Sequence, residues 1–200
     1  MKVGLFGGTF DPIHFGHLKP VQAARRELGL EKVIYLPTAQ PPHKAGREMA
    51  PAHARYTMVE LALLDEEGLY ASPHELTPGR KAYTVDTLEE FSTAMPDADL
   101  HLLLGGDAFL DFAQWWRYRD IARLAHLVVL VRPGWDLEKA TLNPELADLA
   151  ASGRVLVLHQ DALDVSSTQI RQTLSRGEAP PTGTVPDLVV NYARKYQLYR

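Results

Sequence analysis

Gly7-Gly8-Thr9-Phe10-Asp11-Pro12-Ile13-His14-Phe15-Gly16-His17-Leu18 follows directly on a short apolar run, Val3-Gly4-Leu5-Phe6. The stretch reads as a strand-to-helix turn. Glycines just after a strand let the backbone approach a ligand closely and take up positive φ. A helix starting near Gly16-His17 turns its first N–H groups back toward the same spot, which makes an anion site. His14 and His17 are three residues apart, so both imidazoles can face that site. Together these features read as a nucleotide phosphate site at the first strand of an α/β sheet.

The rest of the chain fits that reading. Short β-branched or leucine-rich runs alternate with longer helical patterns. Strands are expected at Lys2–Phe6, Lys32–Leu36, Leu69–Ser72, His101–Leu104, Leu127–Val131 and Val155–Leu158. Helices are expected at Gly16–Leu28, Pro51–Glu66, Tyr83–Ala94, Asp107–Phe112, Tyr118–Arg123, Asn143–Ala151, Ser167–Ser175 and Pro186–Tyr196. Such alternation implies βαβ units and a parallel sheet. These sheets bind ligands beyond the carboxyl ends of their strands, where strand order reverses. The Gly7–His14 turn is expected just past the end of the first strand. Pro20 is placed in the first turn of its helix, where a missing N–H costs little. Gln40–Gly46 and Glu75–Lys81 read as loops, and Ala179-Pro180-Pro181-Thr182-Gly183 as a stiff connector.

Bulk properties narrow the class. Two hundred residues suit one α/β domain over 1–200, with a helical part from about 165 to 200. A net charge of −4 argues against a large nucleic-acid footprint but allows a local basic pocket. The absence of cysteine excludes disulfides, thiolate zinc sites and a cysteine nucleophile. No run approaches a membrane span, and the first residues lack a signal-peptide pattern. A cytoplasmic location is the expectation.

Several residues could carry chemistry, each with an ordinary structural role beside it. His14 and His17 could be satisfied in a loop, form half of a metal site, or donate to phosphates. The metal reading lacks the third and fourth ligands that zinc needs. Ser166-Ser167-Thr168 could cap a helix. Ser167 and Arg171, four apart, share a face at the positive end of that helix, where arginine suits bidentate phosphate contact. Pro41-Pro42-His43-Lys44 could be a rigid turn or a basic grip. Tyr83-Thr84 could open a helix, with Thr84 as cap. Asp107, after Gly105-Gly106, could cap the next one. Trp115 and Trp116 could be core or could stack on a flat ring.

The His14-Phe15-Gly16-His17 segment resembles the (T/H)xGH signature of the nucleotidyltransferase superfamily. Val165-Ser166-Ser167-Thr168-Gln169-Ile170-Arg171 resembles its ISSTxIR signature, with only the first position changed, from Ile to Val. The longer GGTFDPIHFGHL form is similar to the bacterial nicotinate-nucleotide adenylyltransferases. So are PPHK, the YTxxTL of Tyr83–Leu88, the GxD at Gly105–Asp107, the FxxW ending at Trp115, and the RPG at Arg132. Ala82 stands where that family usually has serine.

The resemblance implies a Rossmann-like doubly wound parallel sheet flanked by helices. It implies transfer of AMP from ATP to nicotinate mononucleotide, with Mg²⁺ bound mainly through ATP phosphates. In that light Gly7, Gly8, Thr9, Phe10, His14, Gly16, His17, Gly105, Asp107, Arg132, Ser166, Ser167, Thr168, Ile170 and Arg171 are expected to bind ATP. Lys44, Tyr83, Thr84, Trp115 and Trp116 are expected to bind the mononucleotide. His14, His17, Lys44 and Arg171 form the expected catalytic set. The expected partners are small-molecule substrates, without nucleic acid or membrane, and homo-oligomers are left open. Rival readings are another acceptor, phosphopantetheine or nicotinamide mononucleotide, a small cytidylyltransferase, and a non-catalytic nucleotide-binding regulator.

Overall fold

The computed structural model of the chain describes residues 1–39, 49–77, 82–131, 142, 144–159, 161, 163 and 165–200. Within them the chain forms β1 (Lys2–Gly8), α1 (Phe15–Leu28), β2 (Lys32–Pro37), α2 (Ala52–Leu63), β3 (Leu69–Ala71), α3 (Thr84–Ala94) and β4 (Asp99–Gly105). It continues with α4 (Gly106–Leu110), α5 (Tyr118–Leu124), β5 (His126–Val131), α6 (Pro144–Ala151), β6 (Val155–His159), α7 (Ser167–Ser175) and α8 (Asp187–Lys195).

The strand order is β3-β2-β1-β4-β5-β6. β1 pairs with β4, β4 with β5 and β5 with β6, all in parallel. The expected doubly wound parallel sheet is therefore formed. Strand order runs outward from β1 in both directions, so it reverses between β1 and β4, the place where such sheets hold ligands.

The sequence explains the strands. Parallel strands covered on both faces read as unbroken apolar runs. In β4 everything from Leu100 to Leu104 is buried. In β5 Leu127, Val128 and Val129 have no exposure at all. Gly4 in β1 is required by packing: a Cβ there would lie 2.9 Å from Val33 Cγ2 and 3.1 Å from both Leu103 Cδ1 and Leu30 Cδ1.

Two compact units are distinguished. The first comprises Met1–Phe6, Ala23–Val33 and Tyr83–Ala162. It holds β4, β5, β6 and helices α3 to α6. The second comprises Gly7–Gln22, Ile34–Ala82 and Leu163–Arg200, and holds α2, β3, α7 and α8. Its core gathers Phe10, Ile13, Leu18, Tyr35, Met58, Val59, Ile170 and Val189.

Some boundaries depart from the sequence reading. β1 runs on through Gly7 and Gly8 rather than stopping at Phe6. α1 starts at Phe15, which puts Pro20 beyond the first turn; the Gly16 carbonyl therefore has no residue-20 N–H to accept. The helix expected at Asp107–Phe112 stops at Leu110, and Phe112–Gln114 continues as a 3-10 turn. His74–Leu76, at the edge of an expected loop, is also a 3-10 turn. The Gln40–Gly46 loop lies outside the described residues. Among those described, no helix is long and apolar enough to cross a membrane.

One buried histidine gives the first unit a pH response. His101 in β4 is 4 % exposed. Its ring stacks on His126 at 5.1 Å, and its Nδ1 lies 3.0 Å from the Asp99 carbonyl oxygen. Burial holds this imidazole below the ordinary 6.5; His126 and Lys2 push the same way, and Asp99 opposes them. The native state thus binds this proton less tightly than the unfolded chain does. The stability it contributes is complete above about pH 6.5 and is lost as pH falls through the lower native pKa. His101→Gln is expected to flatten the decline of Tm between about pH 7 and pH 5. An unchanged slope would exclude His101 as its source.

Candidate active site

The second unit builds the phosphate turn. The expected positive φ is found at Phe10 (φ 47°), not at Gly7 or Gly8. Gly8 is needed for another reason: a Cβ there would lie 2.8 Å from the Phe10 ring. At Gly7 a Cβ would meet nothing within 4 Å among the described residues. Phe10 is 1 % exposed. Its ring meets His17 edge-on at 5.3 Å and Tyr35 at 5.7 Å.

His14 and His17 are brought together as expected, with ring centroids 3.8 Å apart. The His14 carbonyl accepts from His17 N at 2.8 Å and Leu18 N at 3.2 Å, which starts α1. Gly16 allows the pair to form: a Cβ there would lie 2.9 Å from the His14 ring and 3.0 Å from Val165. His17 Nδ1 accepts the His14 backbone N–H at 3.3 Å. An acceptor at Nδ1 places the proton of the neutral ring on Nε2. His17 therefore offers an N–H donor on the ring edge away from its own backbone.

The second signature is folded onto the first. Ser166 is the N-cap of α7; its Oγ accepts from Gln169 N at 3.2 Å and donates to Gln169 Oε1 at 2.9 Å. The ordinary reading of Ser166 as a cap is thus what this structure contains. Ser167 Oγ donates to the Pro12 carbonyl at 3.0 Å. Arg171 donates through one nitrogen to the Asp11 carbonyl at 2.7 Å and through the other to Thr168 Oγ1 at 3.1 Å. Ile170, 2 % exposed, anchors the helix in the core. Residues 155 and 160 positions apart in sequence thereby grip one turn.

Arg55 escaped the sequence reading. It is 1 % exposed and donates to four carbonyl oxygens. Nε bonds Ala50 at 3.0 Å; one terminal nitrogen bonds Thr9, and the other bonds Thr38 at 2.8 Å and Ala39 at 3.0 Å. Burial lowers its pKa, while Asp11 and Tyr199 oppose that shift. A guanidinium that satisfies several carbonyls fixes the chain after β1 and the chain after β2 in one arrangement.

The first unit holds the other candidates. The N-cap of α3 is Tyr83, in extended conformation and without a side-chain cap bond; Thr84, expected as the cap, is already helical. Asp107 does not cap α4 either. That position is Gly105, and Asp107 is an exposed residue of the first turn, where a carboxylate complements the helix dipole. Trp115 packs on Phe112 at 5.4 Å. Trp116 is 62 % exposed and lies 6.2 Å from the Tyr83 ring. Arg117 holds this segment against α3: it turns the chain at φ 53° and bonds Glu89 at 2.7 Å and Asp120 at 2.8 Å.

These features place two nucleotidyltransferase signatures on a doubly wound sheet. The chain matches the cytidylyltransferase-like family over residues 5–173. A protein named probable nicotinate-nucleotide adenylyltransferase from Laribacter hongkongensis is 40 % identical, covering all of this chain and 95 % of the relative. One of the same name from Chromobacterium violaceum is 38 % identical, covering all of this chain and 99 % of the relative. The chain belongs to the nicotinate-nucleotide adenylyltransferases.

A solved structure of a family member confirms the fold at greater distance. Plasmodium falciparum nicotinic acid mononucleotide adenylyltransferase complexed with NaAD superimposes with a TM-score of 0.78 at 15 % identity, covering 99 % of this chain and 97 % of that one. Of the residues that the family resemblance nominated, Lys44 and Arg132 lie outside those described.

Proposed function

We infer that the protein transfers AMP from ATP to nicotinate mononucleotide, releasing pyrophosphate and forming the deamido dinucleotide. The observation that carries this reading is the paired His14–His17 turn, gripped from behind by Ser167 and Arg171. A phosphate monoester is largely dianionic at neutral pH, with its second pKa near 6. It attacks the ATP α-phosphorus without a general base or covalent intermediate. The protein's task is to hold two anions together and to neutralise charge as pyrophosphate leaves.

In this reading His17 Nε2–H stabilises the charge at the α-phosphate, and His14 contacts the phosphates beside it. The Gly7–Phe10 backbone and Gly16 let the triphosphate approach. The start of α7, with Ser166, Ser167, Thr168 and Arg171, faces the β- and γ-phosphates, and Lys44 adds a cation. Gly105 and Asp107 serve the ribose, and Arg132 the adenosine half. The backbone at Tyr83-Thr84 receives the nicotinate carboxylate, and the Trp115-Trp116 surface receives its ring. Among the described residues no group of three His, Asp or Glu could hold a metal ion. The donor set of imidazole, hydroxyl, guanidinium and backbone N–H suits phosphates rather than a cation, so Mg²⁺ would be held mainly through the ATP phosphates. The chemistry it would supply there is neutralisation of charge on the pyrophosphate.

The test is direct. Purified protein with ATP, Mg²⁺ and nicotinate mononucleotide is expected to yield dinucleotide and pyrophosphate in equal amounts. ATP binding without turnover would favour a nucleotide-binding regulator. Turnover with phosphopantetheine alone would reassign the acceptor.

A further inference from the structure

We propose that Tyr199 is a positioning residue for the phosphate turn, acting through Asp11. The proposal rests on the adenylyl-transfer reading above.

Asp11 is 4 % exposed, and a buried carboxylate is costly unless its oxygens are hydrogen-bonded and paired. Its Oδ1 accepts the Tyr199 hydroxyl at 2.8 Å and the Ala50 N–H at 3.2 Å. Its Oδ2 lies 3.8 Å from the Arg171 nitrogen that also donates to the Asp11 carbonyl. One residue therefore joins the turn after β1, the approach to α2, the guanidinium of α7 and the segment after α8. Burial and the Asp11 carboxylate both push the Tyr199 phenol up, so it remains a donor across the working pH range.

The backbone beyond α8 is shaped for this contact. Gln197 (φ 57°) and Tyr199 (φ 67°) are both left-handed, although neither is glycine. Such conformations persist only where surrounding contacts enforce them. Gln197 N donates to Arg194 O at 3.1 Å and Leu198 N to Ala193 O at 2.9 Å, which reverses the chain over the helix end. The reversal delivers the hydroxyl to Asp11.

The consequence runs outward from that bond. Asp11 orients the Arg171 guanidinium, and Arg171 with Ser167 fixes the Asp11-Pro12 backbone that leads to His14. A carboxylate that loses one donor draws more strongly on Arg171, so the ATP side is disturbed and the mononucleotide side is spared.

Tyr199→Phe keeps the ring and removes only the hydroxyl. It is expected to raise KM for ATP roughly tenfold. KM for the mononucleotide should hardly change, and Tm is expected to fall by only a few degrees, the cost of one lost bond to a buried carboxylate. Tyr196→Phe, at an exposed tyrosine on the same segment, is expected to behave as wild type. In an Asp11→Asn background, the further effect of Tyr199→Phe should shrink to less than about twofold, the mark of residues that act through one another. An unchanged KM for ATP overturns the proposal. So does a parallel loss of kcat, both affinities and Tm, or a full effect persisting without the Asp11 charge. Calorimetric binding of a non-hydrolysable ATP analogue separates this from the parent reading. If wild type fails to adenylylate, that reading falls, yet roughly tenfold weaker analogue binding by Tyr199→Phe still supports the positioning role, and equal binding rejects it.

Discussion

His17→Ala is expected to fold with a near-native Tm and to lose about 10²–10³ in kcat, the usual cost of one donor aimed at developing charge. His17 is only half-buried, so little packing depends on it beyond its contacts with Phe10 and His14. What the substitution removes is an oriented N–H. The His14 N–H bonded to Nδ1 fixes the tautomer, which leaves the ring proton on Nε2. Preorganised donors of this kind need no rearrangement at the moment of reaction. His17→Gln offers an amide N–H but lacks the rigid ring and its Phe10 support, so partial recovery is expected. Steady-state kinetics with both substrates saturating, alongside thermal melts, make the check. An alanine variant within a few-fold of wild type would remove His17 from the reacting centre.

Much of this arrangement is legible in the sequence because it is local. The apolar runs of β4 and β5 are continuous, as burial on two faces demands. The two histidines sit at helical spacing beside glycines, so their convergence follows from the chain itself. The bracing is less legible because each bond joins side chain to backbone across a long separation. Arg55 reaches Thr9 over 46 positions and Tyr199 reaches Asp11 over 188, with no periodicity to announce either. A signal for Arg55 did exist. Arg55, Met58, Val59 and Ala62 fall at helical spacing on the buried face of α2. A guanidinium on an apolar stripe needs several acceptors, and carbonyls at the ends of neighbouring strands can supply them. Ser166 is legible for the opposite reason, because its bond is local. Its hydroxyl is engaged with Gln169 as the cap of α7, the ordinary role that its residue type announces.

Nicotinate mononucleotide is expected to be preferred over the nicotinamide form by at least about 10²-fold in kcat/KM. The expectation combines family membership with the geometry at α3. Among the described residues no cap side chain bonds the start of this helix at Tyr83, and first-turn N–H groups are suited to an acceptor. A carboxylate is the natural one, since it is anionic and offers only acceptors. Trp116, exposed beside Tyr83 and held by the Arg117 ion pairs, supplies an aromatic surface near the same turn. Replacing the carboxylate by a carboxamide turns one anionic oxygen into an NH₂ donor. Donor then faces donor, and a charge-assisted bond is lost. Hydrogen bonds to charged groups are worth about 1.5–3 kcal/mol, and the unpaired backbone donor adds its own desolvation penalty. At about 1.4 kcal/mol per factor of ten, these effects together reach 10²-fold or more. Rotating the amide does not rescue the contact, because one of its two positions is always a donor. Measuring kcat/KM for both mononucleotides at saturating ATP decides the matter. A ratio near one would mean that the α3 start does not read the carboxylate, and would mark a dual-specificity enzyme while leaving the adenylyl-transfer reading intact.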